Sequence, residues 1–170
     1  MTAQLLTSST IESPVGDLTL VAHADALIAV LWPDEPDGRV RFAAEPAIVQ
    51  SLGDHPILES AARQLSEYFD GSRQTFDLAL DPSGTEFQRQ VWWALADVRF
   101  GETSTYGRQA AHIGRPAAVR AVGSANGRNP LSIVLPCHRI VGAGGRLTGF
   151  AGGLDTKRWL LDHESRISAE

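Results

Sequence analysis

The tetrapeptide Asp81-Pro82-Ser83-Gly84 falls where the hydrophobic pattern of the chain changes, and this break limits the available folds more than any other feature. Ahead of it, apolar residues alternate as in half-buried strands. Leu18, Leu20 and Ala22 follow the turn-like Ser13-Pro14-Val15-Gly16, and Leu27-Ile28-Ala29-Val30-Leu31-Trp32 is an apolar run of strand length. Residues 33–54 are rich in Pro, Asp and Gly and read as loop. From Ile57 the spacing turns helical through Leu58, Ala61, Ala62, Leu65, Tyr68 and Phe69, closed by Gly71. Phe76, Leu78 and Leu80 predict a last strand.

Behind the break the pattern is helical. Thr85, with Gln88 three residues on, is a capping-box arrangement ahead of Phe87, Val91 and Leu95, and Phe100-Gly101 ends that helix. A second helix is expected from near Ser104 through Tyr106, Ala110, Ala111 and Ile113 to Gly114. Pro116 suits the first position of a third, running to Ala125. The next segment, Asn126-Gly127-Arg128-Asn129-Pro130, leads into an Ile133-Val134-Leu135 strand, and Asp155 caps a final helix from Thr156 to Glu164. The expected fold is α+β, with a β-rich domain over residues 1–84 and a mainly helical domain over 85–170. In the latter, two short helices joined by a Gly-Arg-Pro turn have the sequence form of a helix-turn-helix, followed by one short strand.

Composition narrows the function classes. With 170 residues and 43% hydrophobic content, the chain suits one large domain or two small ones. No apolar run reaches the length of a membrane span. Met1-Thr2-Ala3-Gln4 lacks the basic start of a signal peptide, and a single cysteine suits a reducing cytoplasm. The net charge of −5 is unevenly spread. Residues 1–85 carry 4 basic and 13 acidic side chains, a net of −9, whereas residues 86–165 carry 10 and 6, a net of +4. Such asymmetry suggests a basic module that meets a polyanion, although it also fits an ordinary solvated face.

The one cysteine stands in Pro136-Cys137-His138-Arg139, directly after the apolar run. It can form neither an internal disulfide nor a cysteine-rich zinc site. Taken alone it reads as a small buried hydrophobe. Its neighbours change that reading. Pro136 holds Leu135 extended, so the thiol emerges as the strand ends. His138 and Arg139 place a titratable group and a positive charge beside a thiol whose ordinary pKa is about 8.5, the setting that activates cysteines.

The third helix is built of small residues, Ala117, Ala118, Ala121, Gly123, Ser124 and Ala125, with Arg120 as its one long cation. Either it packs closely on another element or its backbone presses into a narrow groove. Glycines at 142, 144, 145, 149, 152 and 153 flank Leu147 and let a ligand approach the backbone; no phosphate-loop pattern accompanies them. Glu164, at the end of the last helix, opposes the macrodipole there and is either solvated or partnered elsewhere.

Pro136-Cys137-His138-Arg139, preceded by Gly127-Arg128-Asn129-Pro130 and followed by Gly152-Gly153-Leu154, resembles the O6-alkylguanine-DNA alkyltransferases, also called methylated-DNA–protein-cysteine methyltransferases, of the bacterial type. The match runs over residues 85–165. The N-terminal half resembles the family's ribonuclease H-like domain only in β-rich pattern and length. The resemblance implies direct-reversal repair: minor-groove binding of duplex DNA, flipping of the damaged base, and irreversible transfer of the alkyl group of O6-alkylguanine to Cys137, once per molecule. Action on O4-alkylthymine stays open. His138 would draw the thiol proton through a water, with Glu164 orienting His138. Neighbouring side chains in an extended segment point apart, which agrees with the water. The Cys-His-carboxylate order follows the logic of activated nucleophiles.

By the same resemblance, Arg120 fills the space of the flipped base, Tyr106 sits at its phosphate and near the base, and Asn129 braces the turn under Cys137. Gly107, Arg115, Ala121 and Ala143 join Arg120 and Tyr106 at the DNA. Ile140, Phe150, Ala151 and Gly152 line the base pocket, with carbonyls of Cys137 and Ile140 reading the guanine edge. Phe150-Ala151 replaces a Tyr-Ser pair of the vertebrate form, so backbone amides must bond the leaving oxygen. No cofactor and no metal are implied. The expected partner is double-stranded DNA, with no membrane and no obligate protein partner; the protein is expected to be a cytoplasmic monomer, with clustering on DNA left open. Two other classes compete. A cysteine hydrolase using Cys137, His138 and Glu164 would turn over. A non-catalytic DNA-binding regulator or lesion sensor has Cys137 against it, and the small third helix lacks the long side chains of major-groove readout.

Overall fold

Alternating apolar residues put strands β1 (Thr7–Ile11), β2 (Leu18–Ala22) and β3 (Leu27–Leu31) into an antiparallel meander. A two-residue strand, β4 (Ala47–Ile48), runs parallel to β1, giving the order β3-β2-β1-β4. This computed structural model describes residues 4–49 and 52–170. The N-terminal segment read as lacking a leader falls at residues 1–3, and part of the 33–54 loop at 50–51, outside the described residues. The chain divides into two compact units, Met1–Ser83 and Gly84–Glu170.

In the first unit, helix α1 (Pro56–Asp70) buries Leu58, Ala61, Leu65 and Tyr68 and packs on the sheet at β2. Pro56 starts it, the His55 side chain accepts from Leu58 N, and Gly71 ends it at φ 88°, a conformation that glycine adopts without strain. Two expectations are corrected. Phe76–Leu80 forms no strand: only Leu80 bridges to Leu27. Gln64 takes both backbone groups of Asp77, donating to its carbonyl at 2.9 Å and accepting from its N–H at 2.8 Å, and so replaces a strand neighbour. The 33–54 segment is not wholly loop, since Ala47 N donates to Leu6 O and Val49 N to Ser8 O.

The second unit contains α2 (Glu86–Ala94), β5 (Ser104–Thr105), α3 (Tyr106–His112), α4 (Val119–Gly127), β6 (Ile140–Val141) and α5 (Leu154–Ser168). The capping box at Thr85 and Gln88 is present in both directions. Trp92, 1% exposed, donates from its indole to Ala125 O at 2.7 Å and ties α2 to α4. A buried amide pair joins α3 to α4: Asn126 Nδ2 donates to Gln109 Oε1 at 2.7 Å, and Gln109 Nε2 returns a bond to Asn126 Oδ1 at 3.2 Å. The helix-turn-helix is therefore held by hydrogen bonds as well as by Ala110 and Val122.

Several boundaries move for local reasons. Helix α2 stops at Ala94 and passes through a short turn, Leu95–Asp97, well before Gly101. Helix α3 begins at Tyr106, because Ser104 and Thr105 pair with Ile140 and Val141 and Thr105 caps the helix at Arg108 N. Helix α4 begins at Val119; Pro116 and Ala117 lie in a turn closed by Ala118 N donating to Arg115 O. Helix α5 starts at Leu154 without a side-chain cap and continues to Ser168, so Glu164 lies one turn inside it and not at its end. Ile133–Leu135 is a turn with Ile133 at φ 73°, and the short strand of the site is β6, just after the cysteine. No helix among the described residues is long and apolar enough to cross a membrane.

Candidate active site

Asn129 holds the turn at both ends, and Leu135 N closes it on Leu131 O. Asn129, 0% exposed, donates from Nδ2 to Leu135 O at 2.8 Å and accepts Leu131 N–H at Oδ1 at 3.0 Å. The chain then turns again at Cys137–Arg139, one turn of 3-10 helix. Cys137 is buried there, and His138 and Arg139 turn toward α5.

Glu164 receives them. His138 Nε2 lies 2.7 Å from Glu164 Oε1, with both side chains essentially unexposed. Arg139 donates from Nε to Oε2 at 2.9 Å and from Nη2 to Oε1 at 2.9 Å. Its Nη1 donates to Val98 O at 2.7 Å, and the guanidinium lies 5.7 Å from the Phe100 ring centre. Gly101 N–H approaches Oε2 at 3.4 Å. Gly101 has φ 80°, and a β-carbon on it would come within 2.0 Å of Ser168 Oγ, so only glycine lets this turn meet α5.

Charge states follow from this packing. Burial would raise the Glu164 carboxyl, but the hydrogen bond from His138, with the hydrogen bonds and charge of Arg139, outweighs it and holds the group at about 2. Burial holds His138 below its ordinary value despite Glu164, leaving a neutral imidazole. A carboxylate only accepts, so Nε2 carries the proton and Nδ1 the lone pair. His138 Nδ1 is buried and has no hydrogen-bond partner among the described residues. A neutral base with an unspent lone pair therefore stands one residue from the thiol, and no direct bond joins Nδ1 to Cys137. The reason differs from the one anticipated, because the segment is a helical turn and not extended.

Sequence reasoning placed the charge of Arg139 near the thiol but gave it no partner, and its guanidinium grips Glu164. The positive charge that senses Cys137 is Lys157 of α5, 1% exposed. Burial draws its pKa down, and a charge on Cys137 opposes that. Its ammonium lies 5.9 Å from the Tyr106 ring centre. Register brings Tyr106 here, since β5 ends beside Val141.

The other residues are distributed as follows. Arg120 and Ala121 are exposed on α4, and Arg120 makes no hydrogen bond or ion pair among the described residues. Gly107 is exposed on α3, and Arg115 is exposed with its guanidinium 5.7 Å from the Phe87 ring centre. Ala143 is exposed in a short turn, Ala143–Gly145. Ile140 is fully buried, and Phe150, Ala151 and Gly152 are half-buried in the following loop. A cavity of about 220 Å³ lined by Val98, Ser104, Arg108 and His112 includes none of these pocket residues. Among the described residues no cluster of three or more His, Cys, Asp or Glu is placed to hold a metal ion.

Known proteins resemble this chain in sequence and fold. Residues 86–166 match the family model described as 6-O-methylguanine DNA methyltransferase, DNA binding domain, and residues 6–82 match that of its ribonuclease-like domain. The methylated-DNA–protein-cysteine methyltransferase of Mycobacterium tuberculosis is 44% identical over 162 residues, 95% of this chain and 94% of that protein. The protein of the same name from Methanosarcina acetivorans is 44% identical over 153 residues, 90% and 94% of the two chains. The crystal structure of the M. tuberculosis O6-methylguanine methyltransferase superposes with a TM-score of 0.82 at 40% identity, covering 95% of this chain and 94% of that one. The M. tuberculosis OGT structure in complex with DNA gives 0.81 at 42% identity, with the same coverage.

Proposed function

This chain belongs to the 6-O-methylguanine DNA methyltransferase family, and from that premise we propose that it repairs duplex DNA by moving the alkyl group of O6-alkylguanine onto Cys137, irreversibly and once per molecule. The observation that carries the assignment of residues is the buried His138, held through Nε2 to Glu164 while its Nδ1 has no partner among the described residues. In this reading His138 takes the Cys137 proton through a bridging water. Sulfur attacks the alkyl carbon, the S–C bond forms as the C–O6 bond breaks, and the bonding pair leaves on the guanine oxygen. The proton lost by the thiol balances the one that restores guanine. Glu164 stabilises the imidazolium formed on the way, and Arg139 keeps Glu164 ionised and oriented.

The DNA reading rests on α4, whose exposed face carries Arg120, Ala121 and Ser124. Small side chains allow its backbone close to a minor groove, and Arg120 would occupy the stack when the base is flipped. Tyr106, Gly107, Arg115 and Ala143 would contact DNA nearby, and Phe150, Ala151, Gly152 and Ile140 would enclose the base.

Intact-mass measurement after incubation with a duplex containing O6-methylguanine tests the proposal. One methyl should be gained, on the peptide holding Cys137, with guanine restored in equal amount. Product in excess of protein would overturn single use and favour a hydrolase.

A further inference from the structure

The glycine-rich loop between β6 and α5 holds a polar side chain that sequence reading passed over. Thr148 Oγ1 donates to the phenolic oxygen of Tyr106 at 2.9 Å. Lys157 in turn donates from Nζ to the Thr148 carbonyl at 3.2 Å, and Gly142 N donates to Arg146 O at 2.7 Å ahead of it and Gly153 N to Phe150 O at 2.9 Å beyond it, so the loop is fixed on both sides of Thr148. Through the Thr148 carbonyl and hydroxyl, the three residues link α5 by way of the loop to the first residue of α3.

Its polarity has a consequence. A phenolic oxygen carries one proton and accepts others. Because Thr148 supplies the hydrogen of the shared bond, the proton of Tyr106 itself is uncommitted, and the phenolic oxygen makes no other hydrogen bond among the described residues. A half-buried hydroxyl held as an acceptor on one side is thereby set as a donor on the other. A donor that leans on developing negative charge contributes more in the transition state than in the ground state.

We propose that Thr148 is a positioning residue for alkyl transfer: its hydroxyl fixes the Tyr106 O–H as a hydrogen-bond donor toward the departing base. This rests on the reading above that Tyr106 sits near the base.

The test is a double-mutant cycle on the single-turnover rate of methyl transfer to Cys137. Thr148→Val, isosteric but without the hydroxyl, should slow transfer roughly three- to tenfold, as expected for one lost hydrogen bond. Thr148→Ser should restore the rate, and DNA affinity should not change. On a Tyr106→Phe background, Thr148→Val should cost nothing further. A Thr148→Val penalty that persists on that background, or no penalty in the single variant, overturns the proposal while leaving the Tyr106 reading intact. A Tyr106→Phe protein that reacts at the wild-type rate overturns the Tyr106 reading and this inference with it. Thr148→Ala supplies the same cycle if the valine variant does not fold.

Discussion

Arg139 and Glu164 form a buried forked ion pair, with Nε and Nη2 each 2.9 Å from a different carboxylate oxygen. The fork matters because His138 shares the same carboxylate. A neutral imidazole cannot compensate a buried negative charge, whereas a guanidinium is always charged and matches the carboxylate geometry. Arg139 therefore lets Glu164 stay ionised while His138 stays neutral and able to accept a proton.

Removing the guanidinium should expose that dependence. Arg139→Leu leaves a carboxylate buried without its charge partner, and loss of one member of such a pair costs about 3–5 kcal/mol. Urea unfolding of the variant should show a loss of this size. A loss near zero would mean that the carboxylate is solvated in solution.

Acid should destabilise the fold in two stages. Glu164 is held at about 2 against an ordinary 4.5, so the unfolded chain binds the proton more readily. Its contribution is full above the ordinary value and is lost as pH falls toward 2. His138 is also lowered, by burial, so its contribution is full above 6.5 and begins to fade below that. Both effects have the same sign. Unfolding free energy measured against pH should decline below about 6.5 and more steeply below about 4.5. Glu164→Gln should flatten the lower limb. A wild-type curve level from pH 7 to 4 would contradict these charge states.

His138→Ala should slow alkyl transfer by about 10²-fold, the usual scale for a lost general base, with DNA affinity little changed. Single-turnover rates and a binding titration separate the two effects. A variant reacting at the wild-type rate would remove His138 from the chemistry.

Asn129→Ala should act through the backbone. It strips Leu131 N–H and Leu135 C=O of their partner in a site with no exposure. Each buried unsatisfied group costs about 1–3 kcal/mol, so a loss of several kcal/mol is expected, with slower transfer because the turn carrying Cys137 loosens. Thermal unfolding and the transfer rate should fall together; a drop in stability alone would show that the turn does not position the thiol.

What was legible in the sequence was local. Thr85 with Gln88, and Gly71 after an amphipathic run, need only their neighbours to act, and both stand where the pattern put them. Strand β1, Thr7-Ser8-Ser9-Thr10-Ile11, gave no apolar signal, because its place is set by pairing with β2. The apolar run Ile133–Leu135 looked like a strand and is a turn: Asn129 takes Leu135 O and Leu131 N–H, and Leu135 N turns back to Leu131 O. The same holds in the site. The cysteine and its histidine could be read from their motif, but the destination of Arg139 and the bond from Thr148 to Tyr106 depend on segments 25 and 42 residues away. No periodicity encodes such contacts.

Arg120 is expected to act on duplex DNA and not on the chemical step. It is the second residue of α4, exposed, and without a hydrogen bond or ion pair among the described residues, on a helix whose other outward side chains include Ala121 and Ser124. A residue that stabilised the fold would be engaged with it; this one is available to a partner. Extruding a base costs a few kcal/mol of unstacking, and a long cation filling the gap offsets part of that cost. Arg120→Ala should therefore slow repair of O6-methylguanine in duplex DNA while sparing reaction with free O6-benzylguanine, which needs no extrusion. Rates on the two substrates, measured for the same preparation, make the comparison internal. Equal losses on both would place Arg120 in shaping the pocket instead, and no loss on either would remove it from the DNA interface.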